Sequence, residues 1–309
     1  METSLKTLFV TGAHGFVGGW VQRLAPEIAE RHGYALALPS SDFDLLEPAH
    51  VDRELERHRP EAILHLAAQS NVPLSIKDPE GTFRVNVFGT LRLLEGIKRA
   101  GQSPRVVLAS SGEVYGKVPE AEMPITEDRV ARPRNPYAVS KLAAEALCYQ
   151  WSQTEQLEIM VARAFNHIGA GQATTFALPA FAQQIAEIKA GRRSPALAVG
   201  DIDVRRDFTH VADVVEGYLT LVNKGLPGET YNIASGQDLL LRDLLERLLQ
   251  IAGVEAEIRH DAALFRRAEQ RVMRGGIAKI EGLGWRPARS IDSALRDILQ
   301  DWESRTENG

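Results

Sequence analysis

With 309 residues, 44% of them hydrophobic and 25% charged, the chain can bury one large core or two lobes around a cleft, as ordinary globular enzymes do. A net charge of −5 argues against a general nucleic-acid or membrane-surface binder, while leaving room for a local basic pocket. A single cysteine, Cys148, cannot close an internal disulfide, no run approaches ~20 apolar residues and no basic-then-apolar leader opens the chain, so a cytoplasmic, unprocessed protein is expected.

Leu8-Phe9-Val10 is a short apolar run suited to a buried parallel strand. Thr11-Gly12-Ala13-His14-Gly15-Phe16-Val17-Gly18 follows, and residues 20–29 have helical spacing. Strand, glycine-rich turn and helix in that order suit a dinucleotide pyrophosphate. Missing side chains let backbone N–H groups approach the phosphates, and the helix N-terminus adds partial positive charge. The spacing is Gly-x-x-Gly-x-x-Gly, so a plain glycine-rich turn is the competing reading; its place between strand and helix favours the dinucleotide.

Residues 34–38 read as the second strand. A carboxylate at such a strand's end favours NAD, yet Pro39-Ser40-Ser41 offers neither an acid nor an Arg or Lys, and Asp42 and Asp44 come slightly later. Asp44 and Leu45 are candidates for the adenine pocket, and the choice between NAD and NADP stays open. Residues 62–66 form a third strand ending in Ala67-Ala68-Gln69, where small side chains leave room for a cofactor. Residues 86–98 have amphipathic helical spacing, stopped by Gly101.

A fourth strand over 106–109 delivers Ser110-Ser111-Gly112-Glu113-Val114-Tyr115-Gly116 to its C-terminal edge, where open parallel sheets bind ligands. Ser111 could hold a substrate carbonyl and Glu113 is a spare acid or base; loop polarity is the plainer reading of each. Pro136-Tyr137-Ala138-Val139-Ser140-Lys141 then opens a helix through residue 150, with Pro136 in its first turn. Tyr137 and Lys141, four apart, share a face. A free phenol titrates near ~10, and an ammonium about 4 Å away in a shielded site favours the phenolate by roughly 4 kcal/mol. The expectation is therefore a lysine-activated tyrosine. Tyr-x-x-x-Lys alone is common by chance, so its meaning depends on the motifs around it.

Beyond it, residues 159–162 and 231–234 read as strands, and 177–190, 239–253 and 290–302 as helices. In the charged run 201–207, Arg205 and Arg206 could hold a diphosphate. No linker separates the halves. The expected fold is α/β: a Rossmann-type doubly wound parallel sheet over 1–165, joined by about 207–235, interleaved with a smaller C-terminal α/β substrate lobe over 166–309. The eight histidines show no His-Glu-x-x-His pairing and no cysteine cluster, so no metal is expected.

Together the glycine turn, the Ser110–Gly116 motif and Tyr137-x-x-x-Lys141 resemble the extended short-chain dehydrogenase/reductases. Arg163-Ala164-Phe165-Asn166, Arg206-Asp207-Phe208-Thr209-His210-Val211 and Tyr231-Asn232-Ile233 resemble its nucleotide-sugar branch, and the runs over 165–172 and 199–208 its GDP-sugar enzymes. The resemblance implies that Gly12, Gly15, Phe16, Val17 and Gly18 hold an NAD or NADP cofactor, that Lys141 binds the nicotinamide ribose and that Ser111 bonds a C4 carbonyl protonated by Tyr137. It also implies that Asn166, Arg206 and Arg267 contact the GDP-sugar, although Ala268 stands where a proline usually follows that last arginine. A homodimer built on helices near 91–98 and after Tyr137 is implied too. Dehydratases of the branch carry a hydroxyl or acid where this chain has Gly112; Glu113 keeps their base, but the donor for the leaving hydroxyl is missing. Reduction of a C4 ketone is thus expected over 4,6-dehydration or epimerisation, and over a non-catalytic scaffold, which would not need the Ser111/Tyr137/Lys141 set.

Overall fold

The computed structural model describes residues 5–264 and 270–308. Six strands, β1 (Lys6–Thr11), β2 (Tyr34–Ala37), β3 (Ala62–His65), β4 (Arg105–Ser111), β5 (Ile159–Ala164) and β6 (Thr230–Ile233), form one sheet in the order β6-β5-β4-β3-β1-β2. Every pairing is parallel, with Leu8 opposite Ala62 and Val106 opposite Ile159 in register. Helices cover both faces, which is why β3 and β5 are buried along their whole length rather than on alternate residues. One face buries Val10, Leu64, Val107 and Met160 against the helices Phe16–Arg23, Ala25–His32 and Val211–Lys224. The other buries Ile63, Val106 and Ile159 against Pro48–His58, Gly89–Arg99 and Pro136–Thr154.

The chain leaves the sheet after β5 and returns through the helix Val211–Lys224 to lay β6 beside it. The second core packs Leu178, Phe181, Ile185, Leu244, Leu248 and Leu295 from the helices Ala177–Lys189, Leu241–Ala252 and Ile291–Asn308. Short strand pairs brace it, among them Asn166–Ile168 with Phe208–His210 and Arg205–Arg206 with Leu239–Leu240 and Val272–Met273.

Three expectations are corrected. The helix over 20–29 is two helices broken at Leu24, because Pro26 lacks the N–H that would continue the first. The helix over 86–98 starts as a π-type turn, Arg84–Phe88, before the α-helix Gly89–Arg99. Leu239 and Leu240 pair with Arg206 and Arg205 as a strand, so that helix begins only at Leu241 and closes on left-handed Gly253. Among the described residues no helix is long and apolar enough to cross a membrane, and no group of three or more His, Cys, Asp or Glu could hold a metal.

Candidate active site

β1 has neighbours on both sides, β2 and β3, so the chain changes direction there and a crevice opens beyond the strand ends. The glycine turn lies at that point. Gly12 has φ +71°, and a Cβ on it would stand 2.6 Å from the Ala67 backbone nitrogen. A Cβ on Gly18 would meet the Gly12 carbonyl oxygen at 2.4 Å. Both positions exclude any side chain, and Gly15 N-caps the helix Phe16–Arg23. That bare, donor-rich cradle fits a dinucleotide pyrophosphate. Phe16 stacks on His167 at 6.0 Å, Val17 packs on the core, and Ala67 and Ala68 are half-buried. Asp44 is exposed and caps Leu46 N at 2.9 Å, while Leu45 is buried among the helices.

The end of β2 differs from its sequence reading. Arg53, from the helix Pro48–His58, donates to Ser40 Oγ at 3.1 Å and Asp42 Oδ1 at 2.9 Å. A cation therefore does stand there, brought from thirteen residues downstream of Ser40. Ser40 also donates to the buried Glu54 carboxylate.

β4 ends in Ser111, whose Oγ accepts from Glu113 N at 3.2 Å and tightens the Gly112–Tyr115 turn. The helix Pro136–Thr154 starts at Asn135, whose Oδ1 accepts from Ala138 N at 2.8 Å. Its first turns bury Tyr137 and Lys141, 8% and 6% exposed, against the end of β4. Burial pushes the Tyr137 phenol up to about 12, with the neighbouring Ser111 hydroxyl opposing the rise and the Glu113 carboxylate adding to it. Lys141 Nζ donates to the Ala109 carbonyl at 2.7 Å. Burial brings the lysine down to about 8 against the pull of the Glu145 carboxylate. The groups bearing most on Tyr137 are Ser111 and Glu113, while the Lys141 ammonium is seated on Ala109. At neutral pH Tyr137 keeps its proton, the form a proton donor needs.

A second set of polar groups, invisible to motif reading, lies beneath. Thr90 Oγ1 donates to Asn86 O at 2.7 Å, so it accepts from His65 Nε2 at 3.0 Å. His65 Nδ1 must then accept from Thr11 Oγ1, 2.7 Å away. Burial holds His65 neutral, down to about 3. Asn86 Nδ2 donates to Ser140 Oγ at 2.8 Å, and Ser140 donates to Tyr137 O at 2.7 Å. The strand leading into the glycine turn is thereby tied to the turn that carries Tyr137. The available signal was a His and an Asn on otherwise apolar faces, since buried polar groups must find partners.

On the opposite side, Glu113 accepts from Asn135 Nδ2 at 3.3 Å and interacts electrostatically with both Tyr137 and Arg206. The Arg206 guanidinium donates to the carbonyls of Arg205, Arg271 and Gln270 at 2.9–3.2 Å. Arg205 turns away to Asp238. Asn166 Nδ2 reaches Asp207 O at 3.3 Å. The fully buried Asp207 carboxylate accepts from Ser235 N and Oγ, Gly236 N and Gly275 N, and so fastens three loops behind the site. Arg267 lies outside the described residues. A Cβ on Gly112 would stand 3.2 Å from both Met273 Cε and the Phe165 ring.

A switch-point glycine cradle facing a Ser111/Tyr137/Lys141 set defines a dinucleotide-binding fold of the extended short-chain dehydrogenase/reductase class. The chain belongs to the GDP-mannose 4,6 dehydratase family, whose profile matches residues 27–298. It is 48% identical over 302 residues, 97% of this chain and 98% of the relative, to a GDP-6-deoxy-D-mannose reductase of Pseudomonas aeruginosa. The solved structure of RMD from Pseudomonas aeruginosa complexed with NADPH superposes with a TM-score of 0.93 at 48% identity, covering 97% of this chain and 99% of that one. A Thermus thermophilus UDP-glucose 4-epimerase complexed with NAD is 27% identical with a TM-score of 0.82, covering 96% and 98%.

Proposed function

We propose that this chain reduces the C4 ketone of a GDP-4-keto-6-deoxy-mannose-type sugar, giving GDP-D-rhamnose, with NADPH or NADH as reductant. The observation that carries the reading is the buried Tyr137 side chain brought beside Ser111 at the C-terminal end of β4, with Lys141 one turn on. Gly12, Gly15 and Gly18 leave room for the cofactor pyrophosphate, with Phe16, Val17, Ala67, Ala68, Asp44 and Leu45 around it. When bound, the reduced nicotinamide supplies the hydride. Ser111 and Tyr137 converge on the carbonyl oxygen: Ser111 orients it, and Tyr137 gives it a proton as negative charge develops there. Lys141, largely charged at neutral pH, offers donors to the nicotinamide ribose. Arg206 and Asn166 serve the diphosphate end. Ketone, reduced cofactor and one proton thus become alcohol and oxidised cofactor.

The family profile raises dehydration as a second reading, for which Glu113, close enough to act on Tyr137, would be the C5 base. Gly112, however, carries no donor for the leaving hydroxyl and is packed tightly against Met273 and Phe165. Absorbance at 340 nm separates the two. Reduction predicts rapid cofactor consumption with the 4-keto-6-deoxy sugar and little 4-keto product from GDP-mannose; brisk dehydration of GDP-mannose would overturn the assignment.

The chain also fits a cytoplasmic homodimer. Phe88, on the turn leading into Gly89–Arg99, and Val139 and Tyr149, on Pro136–Thr154, are exposed apolar side chains on the two segments a shared bundle would use. A monomer mass by solution scattering at working concentration would contradict this.

A further inference from the structure

One turn beyond Lys141 on the same buried face, Glu145 is 6% exposed. Its carboxylate accepts from Ser110, the residue between the Ala109 carbonyl that seats Lys141 and the Ser111 hydroxyl that meets Tyr137. From β5, Arg163 clamps both carboxylate oxygens, with Nε at 3.1 Å from Oε1 and Nη2 at 2.7 Å from Oε2. The guanidinium also lies 4.8 Å from the ring centre of Tyr115, whose hydroxyl donates to Asn232 Oδ1 at 2.7 Å. Such a buried pair is a weak source of stability, because removing two charges from water offsets most of their attraction. Its position suggests another use, since it is the charged pair directly behind the lysine.

We infer that Glu145 and Arg163 act as a balanced pair of positioning residues for Lys141: the carboxylate holds the ammonium in its seat on Ala109, and the guanidinium limits that pull. The inference rests on the role given to Lys141 in the proposed reduction. Other groups facing the lysine are neutral near pH 7. Burial pushes the Cys148 thiol up to about 12, His65 on β3 is held down to about 3, and Tyr137 keeps its proton. β4 presents Ala109, Ser110 and Ser111, which carry no charge, and Glu113 lies beyond Tyr137. On the segments packed against the helix from the front, Lys77, Asp78, Glu80 and Arg84 are exposed to solvent.

The test is the pH profile of kcat/KM for ketone reduction, with NADPH affinity followed in parallel by fluorescence. The limb to follow is the alkaline one, where loss of the Lys141 charge would end its part in the proposed reduction. Glu145→Gln should move that limb to lower pH by about one to two units, and NADPH affinity should weaken over the same shifted range. Arg163→Gln should move it the opposite way, and the double variant should return it towards the wild-type position. Opposed shifts cannot come from general loosening, which lowers activity at every pH. Should Glu145→Gln fail to fold with Arg163 left unpaired, Arg163→Gln and the double variant carry the comparison. Limbs that coincide in all folded variants overturn the inference. Lys141→Met serves as the control on the underlying reading: wild-type turnover there would refute the role of the lysine itself, whereas an inactive Lys141→Met beside unmoved limbs refutes only the pair.

Discussion

The side-chain amide of Asn86 donates to the Ser140 hydroxyl at 2.8 Å, across 54 residues of chain. The π-type turn Arg84–Phe88 buries Asn86, and its carbonyl and amide also pair with the backbone of Gln69. Asn86→Ala takes from the buried Ser140 hydroxyl its donor and from the Gln69 backbone N–H its acceptor. It should cost roughly 1–3 kcal/mol in urea unfolding and lower kcat more than it raises KM. Unchanged kcat in a folded Asn86→Ala protein would show that the tie does not position Tyr137.

His65 predicts an acid-side loss of stability. It titrates at about 3 in the folded chain, against ~6.5 when unfolded. Between those values the unfolded chain binds a proton that the folded chain refuses, so stability rises with pH. The contribution is complete above ~6.5 and is lost as pH falls. From pH 6.5 to 5 this group alone costs about 2 kcal/mol. Urea unfolding of wild type and His65→Gln at pH 5, 6 and 7 isolates it: the gap between the two should narrow on acidification, and a gap constant with pH would contradict the assignment.

Arg53 and Asp42 face each other beside Ser40 at the end of β2, one cation and one anion where an adenosine ribose is read. Arg53→Ala should raise KM for NADPH several-fold more than for NADH, and Asp42→Asn should lower KM for NADPH. Equal effects on the two cofactors would remove this pair from the choice between them.

Gly112 is held by its neighbours as well as by its turn. Gly112→Thr should destabilise by roughly 1–3 kcal/mol through overpacking, and Met273→Ala, which removes one of the atoms it would meet, should restore part of that loss. Strictly additive thermal shifts would count against the contact.

Much of the sheet was legible because it is buried on both faces: β1, β3 and β4 announce themselves as apolar runs ending in small or polar residues. The Ser111/Tyr137/Lys141 set was legible through its motifs and chain order. What spacing could not supply was where a long side chain goes. Four residues of helix put Lys141 on the face of Tyr137, but only the packed sheet shows its ammonium seated on Ala109. Arg53 and Arg163 escaped for the same reason, each meeting its partner through tertiary packing, and the Asn86–Ser140 tie depends on a π-type turn that apolar periodicity does not reveal.

Tyr137→Phe tests the central claim most directly. The hydroxyl is the atom that gives the proton, and the ring that fills the buried site remains. Turnover of the 4-keto-6-deoxy sugar should fall by roughly 10²–10⁴ while NADPH binding, read by fluorescence, stays near wild type. Turnover at the wild-type rate in that variant would mean the proton comes from elsewhere.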